Sequence, residues 1–570
     1  MTTIGVDIGT GSVRICLSKP DAFKTAFKPI KTNRDDIYSN YVTQSSREIY
    51  ECILTLLQEL VNEPVTSISF TATCSMVVME RVSIGSKMHL KPCAVNFKGD
   101  DNQQDIILWM DNRSIEQTSY LNENLNKKDL YKVGGKFIPE MGLPKLRWLQ
   151  DNIKSKDIVC FELYDWFSYL FLVGGYNEEG LVPYVVDPIE PMQEYTTVSE
   201  AMDGSIKGWT IEFLKQIGID SRISIGRSEF NLNTSGLLPV GVPLGYIHKN
   251  VYGMGEKIVV ANGCIDCYAG WLSTIEPEFS VENHLSMIAG TSTCFILSTP
   301  SSKYSTIPGI WGPFSQLLSL PLDLFEFGQP ATGKLFEQLF SNYELVISSL
   351  NAENVFAFLE NETAALETTK GTSITKLIKS YFWYIDQYGN RSPYNDFAMS
   401  EMIIDGCNSS DNLASITNGI TLMGLVIRYN LILEFLCFQT RQILEIIHSS
   451  NGPLVNSITV NGSQGNNKRF MRLLATITGK KVKILKLSTN VKYNVVKGSS
   501  IISSIGHKLL TGCKNYQNAL NSCIQADADY DTIYPDHHIA DIGPLLDKKY
   551  NVFLDMAIAQ QNYRRKINSM

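Results

Sequence analysis

Two short turns built from glycine and hydroxyl side chains stand far apart in this sequence, Gly9-Thr10-Gly11-Ser12 and Gly290-Thr291-Ser292-Thr293. Apolar residues alternate before and after the first, at Ile4, Val6 and Ile8 and again at Val13, Ile15 and Leu17. Leu285 to Ala289 lead into the second, and Cys294 to Leu297 lead out. Both predict strand–turn–strand. Glycine lets a backbone approach a ligand closely, and successive amides can form a nest for an anion, so each turn can cradle phosphate. Asp7 lies two positions before the first turn. A carboxylate there can bond the turn's own amides, or it can organise Mg²⁺ beside bound phosphates. A dinucleotide fingerprint is excluded, because it needs a third glycine and a following helix, whereas Arg14 and a strand pattern stand here.

A second source of chemistry is Ala261-Asn262-Gly263-Cys264-Ile265-Asp266-Cys267-Tyr268-Ala269-Gly270. Asp266, between glycines and just before the second turn, can accept a hydroxyl proton while phosphates are held nearby. Cys264 and Cys267 have C-x-x-C spacing, but no second pair or suitably spaced histidine completes a zinc site. Trp109-Met110-Asp111-Asn112-Arg113 combines an aromatic face with polar tips. It reads either as a strand end with an Asp–Arg ion pair or as a sugar-binding wall. His537 and His538, after Asp536, read as solvated.

The elements around these residues predict an α/β protein. Ser45-Ser46-Arg47-Glu48 is a capping box. Ile49, Ile53, Leu56, Leu57 and Leu60 then recur at helical spacing, and Val65 to Val78 returns to a strand-rich pattern. The repeated turn marks an internal echo. Helices are expected near Lys334–Phe340 and Leu422–Ile447, then a strand at Ser457–Val460 and a turn through Asn461–Asn467. Ile275-Glu276-Pro277-Glu278 breaks the pattern, which puts a domain boundary near 275–283 and divides the chain into 1–278 and 279–570.

The 570 residues exceed one core at about 100–200 residues per domain. An apolar share of 44% excludes a disordered scaffold. Lys+Arg 50 against Asp+Glu 58 gives a dispersed net charge of -8, without the basic stripe of a nucleic-acid binder. The most apolar stretch, Gly419 to Phe438, carries Arg428, Asn430 and Glu434, so it reads as a buried helix and no membrane is expected. The opening strand pattern lacks the regions of a signal peptide, and twelve scattered cysteines fit reduced thiols. The expectation is a cytoplasmic protein acting on a small molecule.

Taken in order, these segments resemble the FGGY family of carbohydrate kinases over nearly the whole chain. Ile4–Arg14 resembles its first phosphate motif, Trp109–Arg113 its W-x-D-x-R segment, Gly263–Gly270 its catalytic-aspartate segment and Gly290–Thr293 its second phosphate motif. Gly462–Asn467 resembles the adenosine-side turn. Ala72–Ser75, Val133–Lys136, Pro139–Met141, Pro144-Lys145, Pro308–Pro313 and Gly389–Pro393 are similar to the branch that phosphorylates ribulose and related pentuloses. The resemblance implies two actin-like (ribonuclease-H-like) domains with ATP and Mg²⁺ in the cleft between them. It makes Asp266 the general base and Asp7 the metal-holding carboxylate. Gly9, Thr10, Gly11, Ser12 and Arg14 with Gly290, Thr291 and Ser292 become phosphate contacts, and Gly462, Ser463 and Asn467 the adenosine pocket. The sugar, a ketopentose such as D-ribulose, is expected near Cys74, Trp109, Asp111 and Asp266. Thr71, Asn112, Phe327, Pro330, Ser463, Ser499 and Ser500 depart from the common pattern. Thr71, Asn112 and Ser463 motivate an alternative, a nucleotide-binding regulatory protein of the same fold without transfer. The presence of both Asp7 and Asp266 argues against it.

Overall fold

The computed structural model of the chain describes residues 2–19, 22–153, 156–185, 203–226, 238–251, 257–275, 284–350, 353–406, 413–486, 494–524, 529–536 and 542–568. Thr3–Ile8 turns back into the antiparallel strand Ser12–Lys19, and Ala22–Pro29 continues the meander. On its other side Thr3–Ile8 pairs in parallel with Ser67–Ala72, which pairs in parallel with Val259–Ile265. Every residue of Thr3–Ile8 and Ser67–Ala72 is buried, as a strand covered on both faces requires.

The second sheet repeats this plan. His284–Ala289, Thr293–Pro300 and Leu322–Gln329 form an antiparallel meander. Ser457–Asn461 and then Lys481–Lys486 add parallel strands to the side of His284–Ala289. The echo of two turns is therefore a repeat of topology, and each turn closes the first hairpin of its sheet. A parallel neighbour needs a crossover, usually helical. Ser46–Leu60 supplies it in the first half, and Leu422–Ser449 and Lys468–Thr478 in the second.

Local signals are met with one exception. Ser45 Oγ accepts from the Glu48 amide at 3.2 Å, so the predicted N-cap forms. The reciprocal half of the box does not, because Glu48 Oε1 accepts from the Lys31 amide at 3.1 Å and ties the helix to the end of the meander instead. The helix expected near Lys334–Phe340 spans Gly333–Asn342. Leu422–Ser449 is apolar and long enough to cross a bilayer, yet 83% of its most apolar window lies inside the protein. Three of its polar side chains find partners there: Asn430 Nδ2 donates to Thr363 Oγ1 at 3.0 Å, Arg428 Nε donates to the Ile416 carbonyl at 3.0 Å, and Glu434 pairs with Lys549.

The divide expected near 275–283 falls mostly on residues 276–283, which lie outside the described residues, as do His537 and His538. One segment departs from a simple division at that point. The helix Asn494–Leu510, from the second half, packs on the first sheet. Hydroxyls stitch it there: Ser69 Oγ donates to the Ser499 carbonyl at 2.6 Å, and Ser67 Oγ to the Ser503 carbonyl at 2.8 Å. Gly5 makes the approach possible, since a Cβ there would lie 2.4 Å from the Ser500 amide nitrogen.

Candidate active site

Asp7 faces Arg14 across the first hairpin. Arg14 Nη1 donates to Asp7 Oδ2 at 3.0 Å, so this carboxylate is held by the guanidinium and not by the amides of its own turn. Asp7 is 2% exposed, and its Oδ1 is buried with no hydrogen-bond partner. Burial raises its pKa, and Arg14 opposes the shift. The turn itself is closed by Gly9 N donating to the Ser12 carbonyl at 3.0 Å.

Asp266 reaches the same place through an irregular strand. Val259–Ile265 loses register against Ser67–Ala72 between Ala261 and Cys264. A Cβ on Gly263 would lie 1.8 Å from the Phe70 carbonyl oxygen, so glycine is what permits the bulge. Bulges re-aim a strand end, and here the chain enters the helix Asp266–Leu272 with Asp266 at its first turn. Asp266 is half-buried. Desolvation by the cleft walls and then the nearby Asp7 carboxylate push its pKa up to about 8. Cys264 of the C-x-x-C pair lies in the first core, and no cysteine among the described residues is in a disulfide.

In the second hairpin Gly290 N donates to the Ser292 carbonyl at 2.9 Å. The start of the helix Gly333–Asn342 clasps this turn, with Thr332 N and Lys334 N donating to the Thr291 carbonyl at 2.9 and 3.1 Å. Gly462 takes φ +112°, and a Cβ there would lie 2.2 Å from the Ala289 carbonyl oxygen. Only glycine seats this third turn so tightly against the second.

These pieces line one cleft of about 790 Å³: Asp7, Gly9, Thr10, Gly11, Ser12, Arg14, Cys74, Trp109, Asp266, Gly290, Thr291, Ser292, Gly462 and Ser463. Two expected residues are not among its lining. Asp111 is fully buried, and both of its oxygens accept from Arg113, at 2.8 Å from Nε and 2.7 Å from Nη2; the Val42 amide adds a third bond at 2.6 Å. The ion-pair reading holds for Asp111, and of this segment Trp109 lines the cleft. Asn467 is spent as a helix cap, accepting from the Phe470 amide at 3.0 Å and donating to Tyr429 Oη at 2.7 Å. Asn461 and Gln464 line the cleft in its stead.

Trp109 ties its segment to the first hairpin turn, because its Nε1 donates to Thr10 Oγ1 at 2.9 Å. Lys145 holds that segment from behind, donating to the carbonyls of Leu108 at 2.7 Å and Trp109 at 2.8 Å; burial lowers its pKa to about 8.

Several cleft residues carried no role in the sequence reading. Arg391 Nη2 donates to Glu140 Oε2 at 2.8 Å, a pair between the two halves, and its guanidinium lies 5.6 Å from the ring centres of both Trp109 and Trp311. Glu326 accepts from Tyr268 Oη at 2.8 Å, and burial raises its pKa to about 7. Glu140, Trp311 and Arg391 sit in segments recognised as family-like, so a signal existed without a function attached. Those segments meet at one seam: Gly309 N donates to the Gly134 carbonyl at 2.9 Å and Asn395 Nδ2 to the Val133 carbonyl at 3.0 Å. Phe336, Phe340 and Phe356 form an aromatic wall. Phe356 comes from another helix, and its part in the wall has no local sequence signal.

Three of the departures from the family pattern find places. Thr71 Oγ1 donates to the Val6 carbonyl at 3.1 Å, and Ser499 Oγ donates to the same oxygen at 3.0 Å. Two substituted positions thus share one acceptor. Phe327 is core, stacked on Phe295 at 5.2 Å.

Comparison with known proteins agrees with this geometry. Residues 2–165 match the N-terminal domain of the FGGY family of carbohydrate kinases, and residues 285–491 its C-terminal domain. A D-ribulokinase of Saccharomyces cerevisiae is 33% identical, covering 88% of this chain and 71% of its own. The solved xylulose kinase of Rhodospirillum rubrum superposes with a TM-score of 0.66 at 15% identity, over 99% of both chains. Plasmodium falciparum glycerol kinase with ADP gives 0.64 at 13% identity, over 98% of both. Two repeated sheets with the actin-like ATPase plan, their hairpin turns facing one cleft, and matches to both family domains place this chain in the FGGY family of carbohydrate kinases.

Proposed function

We propose that this kinase transfers the γ-phosphoryl group of ATP to a hydroxyl of a ketopentose, with D-ribulose the first candidate. The observation that carries the reading is Asp266, a half-buried carboxyl with a raised pKa in a cleft lined by both phosphate turns. Phosphoryl transfer asks chiefly for in-line positioning and charge neutralisation. The amides and hydroxyls of Gly9–Ser12 and Gly290–Ser292 are assigned to the phosphates. Asp266 takes the proton of the attacking hydroxyl, and Trp109 gives the sugar an apolar wall. Asp7 fits as the ligand of a hard divalent ion, because its Oδ1 is buried and unpartnered. Bound Mg²⁺ would neutralise phosphate charge there. The similarity to a D-ribulokinase supports the choice of ketopentose.

The test is a coupled ADP-release screen over ketopentoses, pentitols, ketohexoses and glycerol with Mg²⁺ present. Sugar-dependent release with a ketopentose is expected, fastest with D-ribulose. Nucleotide binding by calorimetry without release for any acceptor would favour the regulatory alternative.

The aromatic wall is assigned to the adenine base. Phe356 is 36% exposed, so its truncation loses a stacking face at little cost to packing. Phe356→Ala is expected to raise the KM for ATP about 5–10-fold, from roughly 1–1.5 kcal/mol of lost aromatic contact, with kcat nearly unchanged. Initial rates at varied ATP measure this, and an unchanged KM would move the base elsewhere.

A further inference from the structure

Beside Asp266 a cluster of three side chains has no part in the proposed transfer. Cys267, Cys294 and Glu326 each offer one ligand atom, and these atoms all lie within 4.8 Å of one another. The topology brings them together. Cys294 and Ile296 are two apart on one strand and so share a face. Glu326, on the neighbouring strand, pairs with Ile296, which puts it diagonally across from Cys294 on that face. Cys267 comes from the other lobe, on the helix Asp266–Leu272. All three line the cleft, and Cys294 is only half-buried, so the cluster has an entry path.

Two thiols and one carboxylate are a soft donor set that suits Zn²⁺ and disfavours Mg²⁺. Zinc bonds of about 2.3 Å to sulfur and about 2.0–2.2 Å to oxygen, in a tetrahedron, put ligand atoms roughly 3.5–3.8 Å apart, a contraction of at most about 1.3 Å from the present spacing. The partners that metal binding would rearrange are Tyr268 Oη on Glu326 and Arg391 Nη1, 3.8 Å from Cys294 Sγ.

We propose that Cys267, Cys294 and Glu326 form an inhibitory site for a soft divalent cation of the Zn²⁺ class, which ties the two lobes together beside the general base. Binding displaces the thiol protons to solvent and leaves a thiolate–metal bond on each side of the seam. The inhibition rests on the kinase reading above, but the binding does not, so the two are measured separately.

The full chain, reduced with a phosphine and stripped of metal, is titrated with Cd²⁺ as a spectroscopic probe and with Zn²⁺ in competition. A thiolate-to-cadmium charge-transfer band saturating at one equivalent is expected. Affinity should fall at least tenfold in Cys294→Ser and in Cys267→Ala, two variants so that one folding failure does not decide the matter. Cys74→Ser, which removes another cleft thiol, should keep the band. Absence of the band, its survival in both cluster variants, or its loss in Cys74→Ser would overturn the site. In the ADP-release assay with Mg²⁺ in excess, Zn²⁺ should inhibit the parent chain, and Cys294→Ser should need at least tenfold more. A band without inhibition in an active enzyme would overturn the regulatory part, and a chain inactive with every acceptor would leave the band to decide the site.

Discussion

Asp266→Asn is expected to lower kcat by about 10²–10⁴-fold, the usual contribution of a general base. Nucleotide affinity should change little, since Asn keeps the shape of the side chain and the phosphate contacts are assigned to the two turns. Stability moves the other way. The Asp266 carboxyl goes from an ordinary value of 3.8 to about 8 in the folded protein, through burial first and Asp7 second. A carboxyl with a raised folded pKa binds its proton more tightly folded than unfolded, so folding stability falls as pH climbs from about 4 to about 8. Asn carries no such charge. The metal-free variant should therefore melt above the parent, by a margin that grows across that window. Turnover is read by ADP release and melting by calorimetry from pH 5 to 8. Parent-like turnover in the variant would remove Asp266 from the role of base, and a pH-independent melting difference would remove the account of its burial.

Gly498→Ala should damage the site from a distance. Gly498 lies on the helix Asn494–Leu510, where a Cβ would stand 1.8 Å from the Ala269 carbonyl oxygen on the helix that begins with Asp266. The obstacle is backbone, so one helix must move. Overpacking of this kind costs about 1–3 kcal/mol, against about 1 kcal/mol gained by Ala over Gly in helix propensity. A net loss of about 1 kcal/mol is expected, seen as a lower urea midpoint, with kcat reduced at least tenfold because the displaced helix carries Asp266. An unaltered midpoint and rate would mean that the two helices part freely.

Much of this was legible from residue types. Hairpins, phosphate turns and Asp266 announce themselves through alternation and glycine, because each is decided by a few consecutive residues. The double sheet was legible only as a repeated turn; the register that makes it a repeat lies in pairings such as Thr3 with Ser67 and His284 with Ser457. Asp111 and Asn467 are not among the cleft lining, because their side chains are bound to partners that the sequence does not announce. Whether an Asp faces a sugar or an arginine is settled by Arg113 and Val42, and whether an Asn faces adenosine or a helix end by Phe470 and Tyr429. Ser499 and Thr71 looked like independent departures, but both bond the Val6 carbonyl from residues 428 positions apart. Glu48 gave a correct helix start and the wrong second bond, since Lys31 competes for its carboxylate.

The helix Asn494–Leu510 also sets an order of events at the ribosome. The first sheet is complete in sequence at Ile265, but the face that Gly5, Ser67 and Ser69 present to this helix has no cover until residues near 500 have been made. At about 5–20 residues per second, that leaves the face open for tens of seconds of synthesis. A chain ending before residue 494 lacks Ile501, Ile502, Ile505 and Leu509, which belong to the first core, as well as the serines that bond the sheet.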